Sequence, residues 1–323
     1  MLGKICVVGA GYWGKNHIKT LYDLGLLGGI VEENSKALES YREYNIALYS
    51  KLDDAIVNKK LLAFTVATPA ETHFTIAKKI MMAGKHVLVE KPFVMSVEEA
   101  EALNHLADQK NINLMVGHLL LFHPAIIKIK ELINSGKIGN LKYVYSNRLN
   151  FGKIRNKENV LWNLAPHDLS IFQYLIESYP TKIQAKGSLL LQDKIFDSAI
   201  TSLEYSNGIS GHIYSSWLHP FKEHRLVAIG SKGMLVFEDS SSSKLLKYYN
   251  KKVDMNEGSP KLIEGEEKII NYSKKMPLTE ELKHFSNSLN GDPITIANKE
   301  HALEVTRILI EASNQLNESL INK

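Results

Sequence analysis

Strand and helix signals alternate from residue 1 to about residue 118, and this alternation predicts an α/β chain opening on a doubly wound parallel sheet. Two observations support the prediction. The glycine turn "GAGYWG" at positions 9–14 follows directly on a short β-branched run. Beyond residue 118 the texture changes to strands separated by hairpin turn signals, which predicts a second, α+β domain built on a mostly antiparallel sheet. Two domains are expected, 1–118 and 119–323, with the C-terminal helix free to pack back on the first.

The first domain reads element by element. "KICVV" (Lys4 to Val8) is a buried parallel strand by its apolar, β-branched run. After Gly11, Tyr12, Ile18, Leu21 and Leu24 recur at helical spacing. "LGGIVEE" is the next strand, and "LLAFTVATP" another, followed by a helix ending at Gly84. "KHVLVEKP" is a strand, Ser96 to Glu99 form a capping box opening a helix, and "INLMVGH" closes the series. In the second domain "LKYVYSNRLNFG", "IQAKGSLLL", "SAITSLEYSNGISGHIYSSWL", "HRLVAIGSKGMLVFED" and "KLLKYYN" read as strands, with hairpin loops at "SNG" (206–208) and "GSKG" (230–233). One helix interrupts them, "PHDLSIFQYLIE", with Pro166 at its first position. "SSSSK" and "NKKVDMNEGSPKLIEGEEK" read as surface loops, and "KEHALEVTRILIEASNQL" as a final helix.

Composition bounds the function. Of 323 residues, 44% are apolar and 23% charged, as in soluble globular proteins. The net charge of +4 is scattered, so no nucleic-acid-binding stripe is expected. Cys6 is the one cysteine, which excludes a disulfide framework and points to a reducing cytoplasm. No signal peptide and no bilayer-spanning stretch is expected. The twelve histidines are dispersed without metal-ligand spacing, and no G-x-S-x-G elbow is present, so neither a metal site nor a serine nucleophile is expected.

The three glycines have separate tasks in holding a dinucleotide. Gly9 permits the tight turn, Gly11 lets the backbone approach a pyrophosphate, and Gly14 lets the helix pack on the strand. Tyr12 and Trp13 complete the turn and count among its cofactor contacts. Glu32 is the expected ribose ligand, with Glu33 the alternative. A carboxylate there repels a 2′-phosphate, so NAD is favoured over NADP; Lys36 nearby softens the preference. Lys91 lies just past the carboxyl end of a strand, the edge that faces ligands in such sheets. His167, placed in the first turn of its helix, would be kept neutral by the positive helix end, with Asp168 beside it on the same dipole. A lysine and a neutral histidine suit removal of a hydroxyl proton while a hydride leaves the carbon.

"GAGYWG", "ATPAETH", "AGKHVLVEKPF" and "PHD", in this order and at these separations, resemble the Gfo/Idh/MocA oxidoreductase family. The resemblance implies a Rossmann domain followed by an α+β domain with an open, mostly antiparallel sheet used for oligomer contacts, hence a homo-oligomer, dimer or tetramer. It makes Lys91 the active-site lysine, places Thr68, Pro69 and His73 beside the cofactor, and sets Glu90 and Lys91 near the nicotinamide ribose. Many members carry an aspartate four residues before the active-site histidine; here that place holds Asn163, which can hydrogen-bond a sugar hydroxyl but cannot relay a proton. "GYWGKNH", "SNRLNFGKIRNKENVLWNLAPHD" and "GHLLLFHPA" look most like the branch oxidising the 3-hydroxyl of UDP-N-acetylglucosamine or its uronic acid, in cell-surface polysaccharide or lipid A sugar biosynthesis. Arg148, Lys153, Arg155 and Lys157 are then candidates for the substrate pyrophosphate, with Lys91, Asn163 and His167 at the sugar. The competing readings are a dehydrogenase of a free sugar or cyclitol, and a non-catalytic protein that senses a dinucleotide.

Overall fold

The computed structural model describes residues 4–255 and 258–321. Its first sheet is parallel throughout, in the order β3-β2-β1-β4-β5-β6. The strands are β1 (Lys4–Val8), β2 (Leu27–Val31), β3 (Ala47–Tyr49), β4 (Leu61–Val66), β5 (His86–Glu90) and β6 (Leu114–Gly117). The helices between them are α1 (Gly14–Asp23), α2 (Ser35–Glu39), α3 (Leu52–Ile56), α4 (His73–Met82) and α5 (Val97–Lys110). β1, β4, β5 and β6 are covered on both faces, and Val8, Phe64, Val66, Val87, Val89 and Val116 fill one continuous core with Ile80, Met81 and Leu103 from the helices. This strand order reverses between β1 and β4, and ligands bind at such a reversal, outside the carboxyl ends. Ser96 Oγ accepts the Glu99 N–H at the start of α5, and the Glu99 carboxylate turns back to the Met95 N–H, a capping box displaced by one residue.

The second sheet has eight strands in the order β14-β13-β12-β11-β7-β10-β9-β8. They are β7 (Leu141–Phe151), β8 (Pro180–Ser188), β9 (Ser198–Tyr205), β10 (Ser210–Ser216), β11 (Leu218–Gly230), β12 (Met234–Glu238), β13 (Leu246–Asp254) and β14 (Lys261–Ile270). All neighbours are antiparallel except β7 and β10. Alternation sets the buried face: Ala199, Thr201, Leu203 and Tyr205 point inward from β9, while Ile200 and Glu204 point outward. The helices that follow the first six strands are α6 (Pro124–Asn134), α7 (Val160–Ile176), α8 (Pro277–Ser288) and α9 (Lys299–Ile321). α7 lies on β7, β9 and β10. No helix among the described residues is long and apolar enough to cross a membrane.

By compactness the chain divides into two units. One comprises Met1–Phe122 and Lys275–Thr306, the other His123–Lys274 and Arg307–Lys323. α8 therefore belongs with the parallel sheet, where Asn113 Nδ2 donates to the Ser288 carbonyl at 2.7 Å.

The expected turns at 206–208 and 230–233 join β9 to β10 and β11 to β12, and Gly230 N donates to Gly233 O at 2.9 Å. The four serines at 240–243 lie between strands, as expected. The stretch "NKKVDMNEGSPKLIEGEEK" is not a loop: it contributes the end of β13 and most of β14, and its Asn256 and Glu257 lie outside the described residues. β14 is an edge strand held by cross-strand charge, with Lys247 2.7 Å from Glu267 and Lys251 3.7 Å from Glu264. Charged side chains along an edge discourage pairing with another chain, and they also erase the apolar alternation that marks a strand.

Ser96→Ala removes the α5 cap and is expected to cost about 1 kcal/mol, a drop of roughly 2–4 °C in thermal midpoint by calorimetry.

Candidate active site

The chain leaves β1 at Val8, and Gly9 turns with φ +92°, its N–H donating to the Val31 carbonyl at 2.9 Å. A Cβ at Gly9 would stand 2.9 Å from both Ala67 O and Thr68 Cγ2. At Gly14 it would stand 1.9 Å from the Gly9 carbonyl, so α1 can start there only on a glycine. At Gly11 it would meet nothing within 4 Å, and that free space above the backbone is where a pyrophosphate fits. No side chain caps α1 and no acid sits in its first turn, which leaves the positive helix end to an anionic ligand. Tyr12 stands 93% exposed over the turn.

Glu32 follows β2. Its Oε2 accepts the Ala10 N–H at 2.8 Å and its Oε1 accepts the Asn34 N–H at 2.9 Å. The carboxylate is thus pinned against the glycine turn, half-buried, with lone pairs left for a ribose diol. Glu33 and Lys36 are exposed.

Past β4, Thr68 and Thr72 share a hydroxyl contact at 2.7 Å, and Pro69 is exposed. His73 is buried, with one ring nitrogen 2.9 Å from the Pro92 carbonyl and the other 2.9 Å from the Thr68 carbonyl. His73 thus stands between the loops after β4 and β5, within hydrogen-bond distance of a carbonyl of each.

Glu90, the last residue of β5, also turns inward. Its Oε1 accepts from Trp13 Nε1 at 2.6 Å and meets His17 Nε2 at 2.8 Å; its Oε2 accepts the Lys91 N–H at 3.2 Å. Burial pushes its pKa up, but the bonds from His17 and Trp13 and the charge of Lys91 outweigh it and hold the carboxyl below its ordinary range. A Cβ at Gly117 would stand 2.8 Å from Glu90 Oε1, so the neighbouring strand needs a glycine to admit the carboxylate. Glu90 thereby holds Trp13 and the main chain of the partly buried Lys91.

Sequence reasoning missed His17, Glu281 and His118. His17 lies on the inner face of α1, and its signal was three-residue spacing from Gly14. Glu281 lies on α8, with its ligating atoms within 4.8 Å of those of His17 and Glu90. His118 follows Gly117, which pairs with Glu90, so Lys91 and His118 are the next residues out along adjacent strands. Burial first, then His301 and Lys91, hold the His118 imidazole well below its ordinary pKa, and it is neutral.

In the other unit, α7 begins at Val160 and Asn159 caps it, accepting the Trp162 N–H at 3.2 Å. Pro166 is inside the helix, so its place at the first position is corrected. His167 then sits about two turns in, beyond the reach of the helix-end field, and the dipole argument for its neutrality does not apply. Asn163 lies one turn before His167 on the same helix face. Its Nδ2 donates to Glu158 Oε1 at 3.3 Å, and that oxygen is 3.5 Å from Arg155 Nε. Arg155, Asn163 and Glu158 thus come together, with Arg155 partly exposed and Lys153 and Lys157 exposed. Arg148 does not join them. It is buried and forked onto Asp168, Nε to Oδ2 at 2.5 Å and Nη2 to Oδ1 at 3.0 Å, which corrects both its assignment to a substrate phosphate and that of Asp168 to the helix dipole.

A doubly wound sheet with this glycine turn, a carboxylate after β2 and a lysine at the crest of β5 defines a dinucleotide-binding oxidoreductase. The family profile described as "Oxidoreductase family, NAD-binding Rossmann fold" matches residues 3–118 and that of the GFO/IDH/MocA C-terminal domain matches residues 126–236; the chain belongs to the Gfo/Idh/MocA family. UDP-N-acetylglucosamine 3-dehydrogenase of Acidithiobacillus ferrooxidans is 27% identical over 291 residues, covering 88% of this chain and 87% of that enzyme. Its solved structure superposes with a TM-score of 0.86 at 24% identity, over 98% of each chain. The WlbA dehydrogenase from Bordetella pertussis, solved with NADH and UDP-GlcNAcA, has the same fold, with a TM-score of 0.79 at 19% identity over 98% of this chain and 97% of that one.

Asp168→Ala strands a buried guanidinium and is expected to cost about 3–5 kcal/mol in urea unfolding. The double variant Arg148→Met/Asp168→Leu is expected to recover most of that loss, since a well-packed apolar pair replaces a buried ion pair at little cost.

Proposed function

We propose that the chain is an NAD-dependent dehydrogenase acting on the 3-hydroxyl of a UDP-linked N-acetylated sugar, UDP-N-acetylglucosamine or its uronic acid. The observation that carries the chemistry is Lys91 at the carboxyl crest of β5, its main chain fixed by the ionised Glu90 and its strand neighbour the neutral His118. The substrate class is supported by the relative that spans most of the chain and carries that activity. Bound NAD supplies the hydride acceptor. Lys91 takes the hydroxyl proton, and His167 is the second proton-handling candidate. Asn163, whose Nδ2 is committed to Glu158, offers its Oδ1 to a sugar hydroxyl, and Arg155 offers a partly exposed guanidinium to the substrate pyrophosphate.

NAD rather than NADP is favoured by the Glu32 carboxylate, held by its two main-chain donors, whose charge would repel a 2′-phosphate. The protein is further proposed to be a cytoplasmic homo-oligomer in the synthesis of a cell-surface polysaccharide or lipid A sugar. Its lone, buried Cys6 suits a reducing compartment.

UDP-N-acetylglucosamine, its 6-carboxylate, free N-acetylglucosamine and inositol, each offered with NAD⁺ and followed by NADH absorbance, test the substrate, with 2-oxoglutarate added as a hydride sink. Turnover is expected for a UDP-linked sugar, with Lys91→Ala at least about a hundredfold slower. Equal turnover of the free sugar or inositol would refute the nucleotide-sugar assignment. Glu32→Ala is expected to weaken NAD⁺ and to relieve the discrimination against NADP⁺ in titration calorimetry; an unchanged preference moves the ribose contact elsewhere.

A further inference from the structure

Beneath the glycine turn, three titratable side chains of one unit meet out of water. They are His17 from α1, Glu90 from β5 and Glu281 from α8, with their ligating atoms all within 4.8 Å of one another. His17 and Glu281 are fully buried and Glu90 is 6% exposed. Hydrogen bonds are shared unevenly among them. Glu90 has Trp13, His17 and the Lys91 N–H. Glu281 has no hydrogen-bond partner on either carboxyl oxygen, and His17 Nδ1 has none either.

Two carboxylates this close in a low-dielectric pocket do not both ionise, and the charge settles on the one with donors. Here that is Glu90. We propose that Glu281 is a positioning residue: it carries a proton at neutral pH and closes the His17–Glu90 pair from the α8 side, fixing the carboxylate that holds Trp13 and the Lys91 main chain. The functional half of this inference rests on the dinucleotide-binding reading; the placement of the proton does not.

Among the described residues, the groups on the elements packed around Glu281 are these. α8 packs on α1, which presents His17, and on the turn Leu119–Phe122, which presents only leucines and a phenylalanine. β5 presents Glu90 and, next to it, Lys91, whose charge acts on Glu90. On α8 itself, Glu280 pairs outward with Lys275 and Lys283, and His284 lies against Phe122 with its Nε2 accepting the Thr295 N–H at 3.2 Å. Burial first, then the Glu90 charge, raises the Glu281 pKa well above the carboxyl range. With the folded value raised above the unfolded one, the proton's contribution to stability is complete below the ordinary glutamate range and is lost as pH rises toward the folded value.

The test uses the full chain with Glu281→Gln, which keeps size and a donor, and Glu281→Leu, which keeps size alone. The wild-type minus Glu281→Gln infrared difference spectrum at neutral pH is expected to contain a protonated-carboxyl C=O stretch. Without cofactor, the wild-type melting temperature is expected to fall relative to that of Glu281→Gln between about pH 5 and about pH 9. For NADH, Glu281→Gln is expected to bind within about twofold of wild type and Glu281→Leu at least about tenfold more weakly. A difference spectrum with only carboxylate bands, or parallel pH profiles, overturns the proton placement. A stoichiometric divalent metal in the wild-type protein that Glu281→Gln abolishes also overturns it. Equal NADH affinity in all three proteins leaves the proton in place but overturns the positioning role.

Discussion

A carboxylate sealed under the crest of a parallel sheet has to be compensated from several sides, and Glu90 is compensated from three. Trp13 reaches it from the glycine turn, His17 from the body of α1, and the Lys91 N–H from its own strand end. Each bond ties a different segment of the dinucleotide site to one point. The indole fixes the residue just before α1, and the main-chain bond fixes the residue that carries the candidate catalytic amine. Gly117 makes the arrangement sterically possible, because any side chain there would occupy the carboxylate's place. The glycine turn and the candidate catalytic lysine are thus held through one buried carboxylate.

Glu32 shows the opposite use of a carboxylate on the same sheet. It also follows a strand end and also accepts main-chain N–H groups, yet it stays half-exposed. A carboxylate bound this way keeps acceptor capacity toward solvent and can take a diol. The strand order brings both about: β2 and β5 flank the central β1–β4 pair, so the two acids stand on either side of the reversal in strand order.

The parts of the fold that the sequence revealed are those where burial and periodicity agree. The main strands of the first sheet are apolar runs buried on both faces, and the glycine turn is fixed by close contacts that only glycine tolerates. What it concealed has identifiable causes. β3 is three residues long with no fully buried position. α8 buries Glu281 and Ser286 among its apolar residues, which blurs its amphipathic pattern. β14 is exposed almost throughout. Pro166 looked like a helix start because proline favours that position, but the helix had begun at the Asn159 cap and absorbs the missing donor inside an apolar run. His17 and Glu281 were illegible for another reason: their meaning lies in Glu90, far away along the chain.

The two arginines first grouped as phosphate ligands show why position in sequence underdetermines the role of a cation. Arg148, inside the fold, is forked onto Asp168. Exchanging Asp168 for a ligand would leave a buried carboxylate without its counterion, a loss that no solvent-facing phosphate contact repays. Arg155 is partly exposed and its contact with Glu158 is long, and such pairs contribute about 0–1 kcal/mol. It can change partners at small cost. Glu158 would not be stranded by the exchange, since it also holds the Asn163 amide and is itself partly exposed. Of the two guanidinium groups, only the one whose internal pairing is weak keeps the freedom to recognise an anion from outside.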